Sequence, residues 1–169
     1  MEENQVNKIN FKKKLIDFYN LNKSKIFIFV IFLLTILFSI IFINYNNERK
    51  NILIAEKYIK AGIFLSSNQN DKARVLYEEI ILSKNKFYSI LALNTIVEKE
   101  IIENDKIIID YFKIIEDINY SEEKLDLITF KKALYLLKSS KSQEGKKLLK
   151  NLIEKNSKLK FLAKEAINN

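Results

Sequence analysis

The sequence predicts an all-α chain: one N-terminal transmembrane helix followed by a domain of helical hairpins. Three observations carry this. The 169 residues contain no proline and only two glycines, too few for the turns of a β protein, while Leu, Ile, Lys and Glu are plentiful, a balance that leans towards helix. The run from Ile26 to Ile43 reads IFIFVIFLLTILFSIIFI, with Thr35 and Ser39 as its two polar residues. Beyond Asn44, apolar residues recur at helical spacing to the end of the chain.

The elements follow in order. Phe11, Leu15 and Phe18 recur at i, i+4 and i+7 with Lys12, Lys13 and Lys14 between them, the pattern of a short basic amphipathic helix at a lipid surface. Its lysines are expected among anionic headgroups. Eighteen helical residues from Ile26 cover about 27 Å, close to the ~30 Å hydrocarbon core. On an insertion scale the run is worth roughly −5 to −10 kcal/mol. Thr35 and Ser39 can bond back to their own helix carbonyls, and as a small-xxx-small pair they would also let another helix come close. The leader is long for a signal peptide, Asn44-Tyr45-Asn46-Asn47 holds no small-residue cleavage pattern, and no Cys exists to take a lipid, so a retained anchor is expected. Residues 11–25 hold five basic groups (Lys12, Lys13, Lys14, Lys23, Lys25) against three in residues 45–59 (Arg49, Lys50, Lys57). That asymmetry puts the N-terminus in the cytoplasm and the rest across the membrane. The expected division is a cytoplasmic leader over 1–25, a transmembrane helix over 26–44 and a periplasmic domain over 45–169.

In that domain Ile54, Tyr58, Ala61 and Leu65 share one helix face. The polar string from Ser66 to Asn70 ends it, and Asp71 opens a second helix through Ala73, Leu76, Tyr77, Ile80 and Ile81. A third is predicted from Phe87 to about Ile102, and a fourth from Asn104–Asp105 to Ile115. Ser121 is a candidate cap for a fifth helix, Glu122 to Lys138, and Ser142 for a sixth reaching about Glu154. A last short helix holds Leu159, Leu162, Ala163 and Ala166.

Paired helices invite a search for a repeat. Aligning the second helix of each pair places Ala73, Ile107 and Gly145 together, then Tyr77, Tyr111 and Leu149, then Ile80, Ile114 and Leu152. Twelve residues upstream stand Ala61, Thr95 and Ala133. The offsets are 34 and 38 residues, and 34 is the tetratricopeptide period. Small residues where two helices cross, with a larger side chain one turn later, suit stacked hairpins. The consensus proline is absent, its positions held by residues such as Asn85 and Ser157, so the expected fold is a degenerate tetratricopeptide-like α-solenoid.

The same composition excludes much chemistry. With no Cys and no His, disulfides, thiolate nucleophiles, cysteine zinc sites and histidine general bases are out. Gly62 and Gly145 alone cannot write a phosphate loop or a dinucleotide fingerprint. Glu78–Glu79, Glu122–Glu123, and Glu98 with Glu100 are the available carboxylate pairs, and neighbouring acids on a helix point about 100° apart. Tyr77 and Tyr111 are expected to pack. No catalytic, cofactor-binding or metal residue is singled out, no cofactor is expected, and no partner-binding surface can be read. The net charge of +8 rests on 27 lysines and two arginines, Arg49 and Arg74. It fits an anionic partner or simply lysine-rich solvated faces; without aromatics interleaved on a basic helix, nucleic acid is not expected. Lysine also belongs, with the 28 Ile and 19 Asn, to a composition drawn from AT-rich codons.

The order of features resembles the bacterial YfgM-like proteins, and most closely their shorter alphaproteobacterial members. The residues that carry the likeness are the domain start Ala55…Tyr58…Ala61, the string Phe87-Tyr88-Ser89-Ile90-Leu91-Ala92, Asp126-Leu127 followed by Ala133-Leu134, and the segment Asn156 to Ala166. In many members a final hairpin follows that last segment, where this chain stops at Asn169. The resemblance implies an ancillary subunit of the SecYEG translocon. Its span would associate with the translocon, and its periplasmic domain would bind a membrane-anchored chaperone of the prolyl-isomerase type. It carries over no catalytic residue. The competing expectation is a structural subunit of another inner-membrane envelope complex, of cell division or outer-membrane assembly.

Overall fold

The computed structural model describes the backbone of residues 2–168 and the side chains of residues 13, 14 and 17–168. Seven helices and no strand are present among them: α1 (Glu2–Ser66), α2 (Asn70–Leu82), α3 (Tyr88–Glu98), α4 (Asp105–Glu116), α5 (Glu122–Lys138), α6 (Ser142–Glu154) and α7 (Lys160–Asn168). The chain divides into two compact units after Lys50.

In the first unit, α1 holds a stretch long and apolar enough to cross a membrane. Residues 27–43 are exposed throughout, a surface that water does not tolerate and a bilayer does. Thr35 Oγ1 donates to the Phe32 carbonyl and Ser39 Oγ to the Thr35 carbonyl, each at 2.8 Å, so both hydroxyls are satisfied within the helix. Of the leader's apolar pattern, Phe18 is exposed, while the side chains of Phe11 and Leu15 lie outside the described residues.

The second unit starts with the 51–66 segment of α1, whose Tyr58, Ala61 and Leu65 turn inward as the periodicity requires. Successive helices from α2 to α7 pack on their sequence neighbours. One expected boundary moves by several residues. The third helix stops at Glu98 because Glu100 adopts a left-handed φ of 50°, and the Ile101 and Glu100 amides return to the Ile96 and Val97 carbonyls. Ile102, read as helical, is instead a buried turn residue. Asn68 and Asn156 end α1 and α6 with the same pair of returning bonds. Asn104 caps α4 by accepting from the Lys106 and Ile107 amides. Ser121 and Ser142 make no capping bond: Lys141 holds the cap position of α6, and Ser142 is its first residue.

The second pair is also shifted by one residue from the expected register. Ile108, Phe112 and Ile115 are buried, with Ile96 twelve residues upstream, whereas Ile107, Tyr111, Ile114 and Thr95 are only partly covered. The buried set therefore runs Ala73-Tyr77-Ile80, Ile108-Phe112-Ile115 and Gly145-Leu149-Leu152. Packing forms two apolar clusters. The larger gathers residues from Ala61 to Ile128, including Ile80, Ile96 and Phe112; the smaller holds Ala133, Leu149, Leu152 and Ala163.

Candidate functional site

The seam between these clusters opens into a cleft of about 1100 Å³, slightly above the range of small-molecule sites. Residues of α3, the α3–α4 turn, α4, α5, α6 and α7 line it. Ile108 and Phe112 of α4 and Leu134 and Leu137 of α5 provide an apolar floor, and Ala166 and Ile167 close one end. Glu98, Glu100 and Glu103, from α3 and the turn after it, and Lys138 and Lys146, from α5 and α6, are the exposed charged residues of its lining.

Polar bridges hold the walls at this separation. Tyr135 of α5 donates to the Asp105 carboxylate at the start of α4. Burial and that hydrogen bond both push the Tyr135 hydroxyl far above its usual range, so it is a permanent neutral donor. Lys131 donates to Asn94 Oδ1 at 2.9 Å. Behind the cleft, Lys132 and Glu116 form a mostly covered ion pair at 2.8 Å.

The carboxylates singled out in the sequence separate. Glu78 accepts from Arg74 Nε at 2.8 Å and holds Tyr111, whose hydroxyl is pushed up to about 12, first by burial and then by Glu78. Glu79 pairs instead with Lys57 at 2.7 Å. Glu123 pairs with Lys158, and Glu122 makes no such pair among the described residues. Only Glu98 and Glu100 come to a common place, the cleft rim, where both are exposed. Tyr77 packs as expected: it is 2 % exposed, and its ring meets Tyr58 edge-on at 5.6 Å. No group of three potential metal-ligating residues occurs among the described residues.

Sequence reading took Asp126 only as part of a family-like string and missed its buried ion pair. Its carboxylate is 5 % exposed and pairs with Lys155. Burial alone would raise this carboxyl, but hydrogen bonds from Lys155 and Ser157 outweigh it and hold the group below its ordinary value. The pair fastens α5 to the turn that launches α7, and so positions the Ala166–Ile167 end of the cleft. One signal was available: Asp126 lies seven residues before Ala133, on the apolar face of α5.

No family model, curated protein or solved structure matches this chain.

Proposed function

We propose that this chain is a membrane-anchored, non-catalytic adaptor that holds a segment of another polypeptide in the cleft between its second and third hairpins. The cleft carries the reading. An apolar lining edged by exposed glutamates and lysines suits an amphipathic segment with charged flanks, docked by its apolar face. The acidic groups available for chemistry are dispersed into ion pairs or solvent, so recognition is the use left to the cleft.

The anchor is the apolar stretch of α1; lysine asymmetry favours an N-terminus in the cytoplasm with the hairpin domain across the membrane, and the resemblance to YfgM-like proteins makes that membrane the bacterial inner one and the far side the periplasm. The three buried triplets, each with its partner residue twelve positions upstream, support a degenerate tetratricopeptide-like stack. The resemblance to YfgM-like proteins supports a place beside the SecYEG translocon, with a periplasmic chaperone or an emerging chain as the partner.

Site-specific photo-crosslinking in intact membranes tests this. A photo-reactive residue at Lys138, on the cleft rim, is expected to capture translocon subunits, a chaperone or a nascent chain; one at Gln143, exposed on α6, is not. Equal capture at both positions, or none at Lys138, overturns the cleft. A reporter active only outside the cytoplasm, fused after Asn169, tests the topology, and a cytoplasmic signal removes the translocon–chaperone reading.

A further inference from the structure

We propose that the outer face of α6 and α7 docks on the anionic headgroups of the bilayer that the span enters. The chain's lysine excess is not spread evenly. Residues 138–168 carry nine lysines against three acidic residues, Glu144, Glu154 and Glu165, whereas residues 70–117 carry seven basic and ten acidic residues. Codon bias would raise lysine everywhere; it does not segregate it. Lys147 and Lys150 on α6, Lys158 before α7 and Lys164 on α7 are all exposed.

Among these charges stand two apolar side chains that the fold leaves in water: Phe161 is 71 % exposed and Leu162 50 %. The Lys160 ammonium lies 5.2 Å from the centre of the Phe161 ring, pairing a ring with a cation on one helix face. That is the chemistry of an interfacial helix, in which the ring enters the acyl boundary and lysines reach the headgroups. An acidic protein face would satisfy the lysines equally well, and the covalent connection favours lipid. Between Ile43, the last apolar residue of the span, and Asn51, the first residue of the second compact unit, lie seven residues, which reach at most about 25 Å even fully extended. The tether keeps the first residue of the second unit within that distance of the span's end, so lipid is present at high effective concentration without any encounter step. The inference rests on the span lying in a bilayer and is independent of the cleft.

The absence of cysteine makes the test simple. The full chain carrying Glu165→Cys, labelled with a polarity-sensitive dye, is reconstituted into vesicles of phosphatidylcholine alone and of phosphatidylcholine with phosphatidylglycerol. Emission is expected to shift to the blue only in the anionic vesicles, and to return when salt screens the charges. Replacing Lys150, Lys158 and Lys164 together by Gln is expected to weaken docking by about fivefold per lysine, while the same three positions changed to Arg retain it. Phe161→Ser, at an exposed site that leaves the core intact, is expected to abolish the shift. Aqueous emission in both vesicle types overturns the proposal, as does a shift of equal size in both. A shift that grows with protein density instead of lipid charge overturns it too, by assigning the face to contact between copies. Resistance of the chain to alkaline extraction, measured on the same vesicles, reports the span separately.

Discussion

Gly145 sits where α6 crosses α5 so closely that a Cβ there would lie 2.8 Å from the Ala133 carbonyl oxygen and 3.0 Å from the Leu137 nitrogen. Both are backbone atoms, so no rotamer relieves the clash and the helices must part. Gly145→Ala is expected to lose about 1–3 kcal/mol of stability despite a gain in helix propensity of about 1 kcal/mol. At Gly62 the nearest such atom is the Tyr77 hydroxyl at 3.9 Å, an ordinary contact. There the propensity gain stands alone, and Gly62→Ala is expected to stabilise by about 0.5–1 kcal/mol. Denaturant titrations of the full chain in detergent, followed by helical circular dichroism, check both signs. The turns make a related point. With no glycine to spare, the chain turns its corners in the left-handed region at Asn68, Lys84, Glu100 and Asn156. Asn tolerates that region; a long side chain costs about 1 kcal/mol there. Glu100→Gly is therefore expected to raise stability by about that amount, and Asn68→Gly to change little. Asparagine, read in the sequence as compositional excess, does local work at two of these corners.

At the scale of elements, α5 joins the two apolar clusters: Ile128 belongs to the larger and Ala133 to the smaller. Asp126 ties this helix to Lys155. Because its folded carboxyl lies below the ordinary value, the pair contributes stability that is complete above the unfolded pKa of about 4 and is lost as pH falls through the lower folded value. Asp126→Asn is expected to destabilise by about 1–3 kcal/mol at neutral pH, towards the low end because Lys155 is partly exposed. The difference from the parent should shrink as the pH drops below about 4; a difference independent of pH would mean that packing, not charge, carries the effect. Helix existence and type were legible from periodicity, since the seven helices expected after Asn44 all form, with the first continuous with the apolar stretch of α1. The end of the third helix was not. Its apolar pattern runs on through Ile101 and Ile102, and only the left-handed turn at Glu100, which ordinary propensity disfavours, stops it. The one-residue register shift had the same source: the run Ile107-Ile108-Ile109 offers the core three equivalent side chains, and only packing chooses among them. The cleft was not legible because it draws on α3 to α7, and periodicity says which face of a helix is covered but not by which neighbour.

At the scale of the whole hairpin domain, the clusters differ in size. Thirteen buried apolar residues form the first and four the second. Each fully buried Leu or Ile contributes about 1.5–3 kcal/mol relative to exposure, so α6 and α7 rest on far less apolar burial than α2 to α4. Besides α5 itself and the Phe112–Tyr135 ring contact at 6.1 Å, what fastens the smaller body to the larger is polar: Tyr135 to Asp105, Lys131 to Asn94, Lys132 to Glu116. Bonds of this kind are worth about 1 kcal/mol each. Such an arrangement opens in parts. Amide hydrogen exchange is expected to show α6 and α7 exchanging through a partial opening, at lower free energy than α2 to α4. Ile96→Ala should lower the protection of the larger body by about 2–5 kcal/mol. Tyr135→Phe should act differently, speeding exchange in α6 and α7 while leaving α2 and α3 nearly unchanged. Uniform protection from α2 to α7, lowered equally by either substitution, would mean that the domain unfolds as one unit and the seam is no hinge. On the proposed reading the partial opening bears on recognition, because the cleft lies on that seam. A body fastened by a few bonds of modest strength can widen the cleft to admit a segment bulkier than the resting volume allows, at a cost well below that of unfolding the larger cluster.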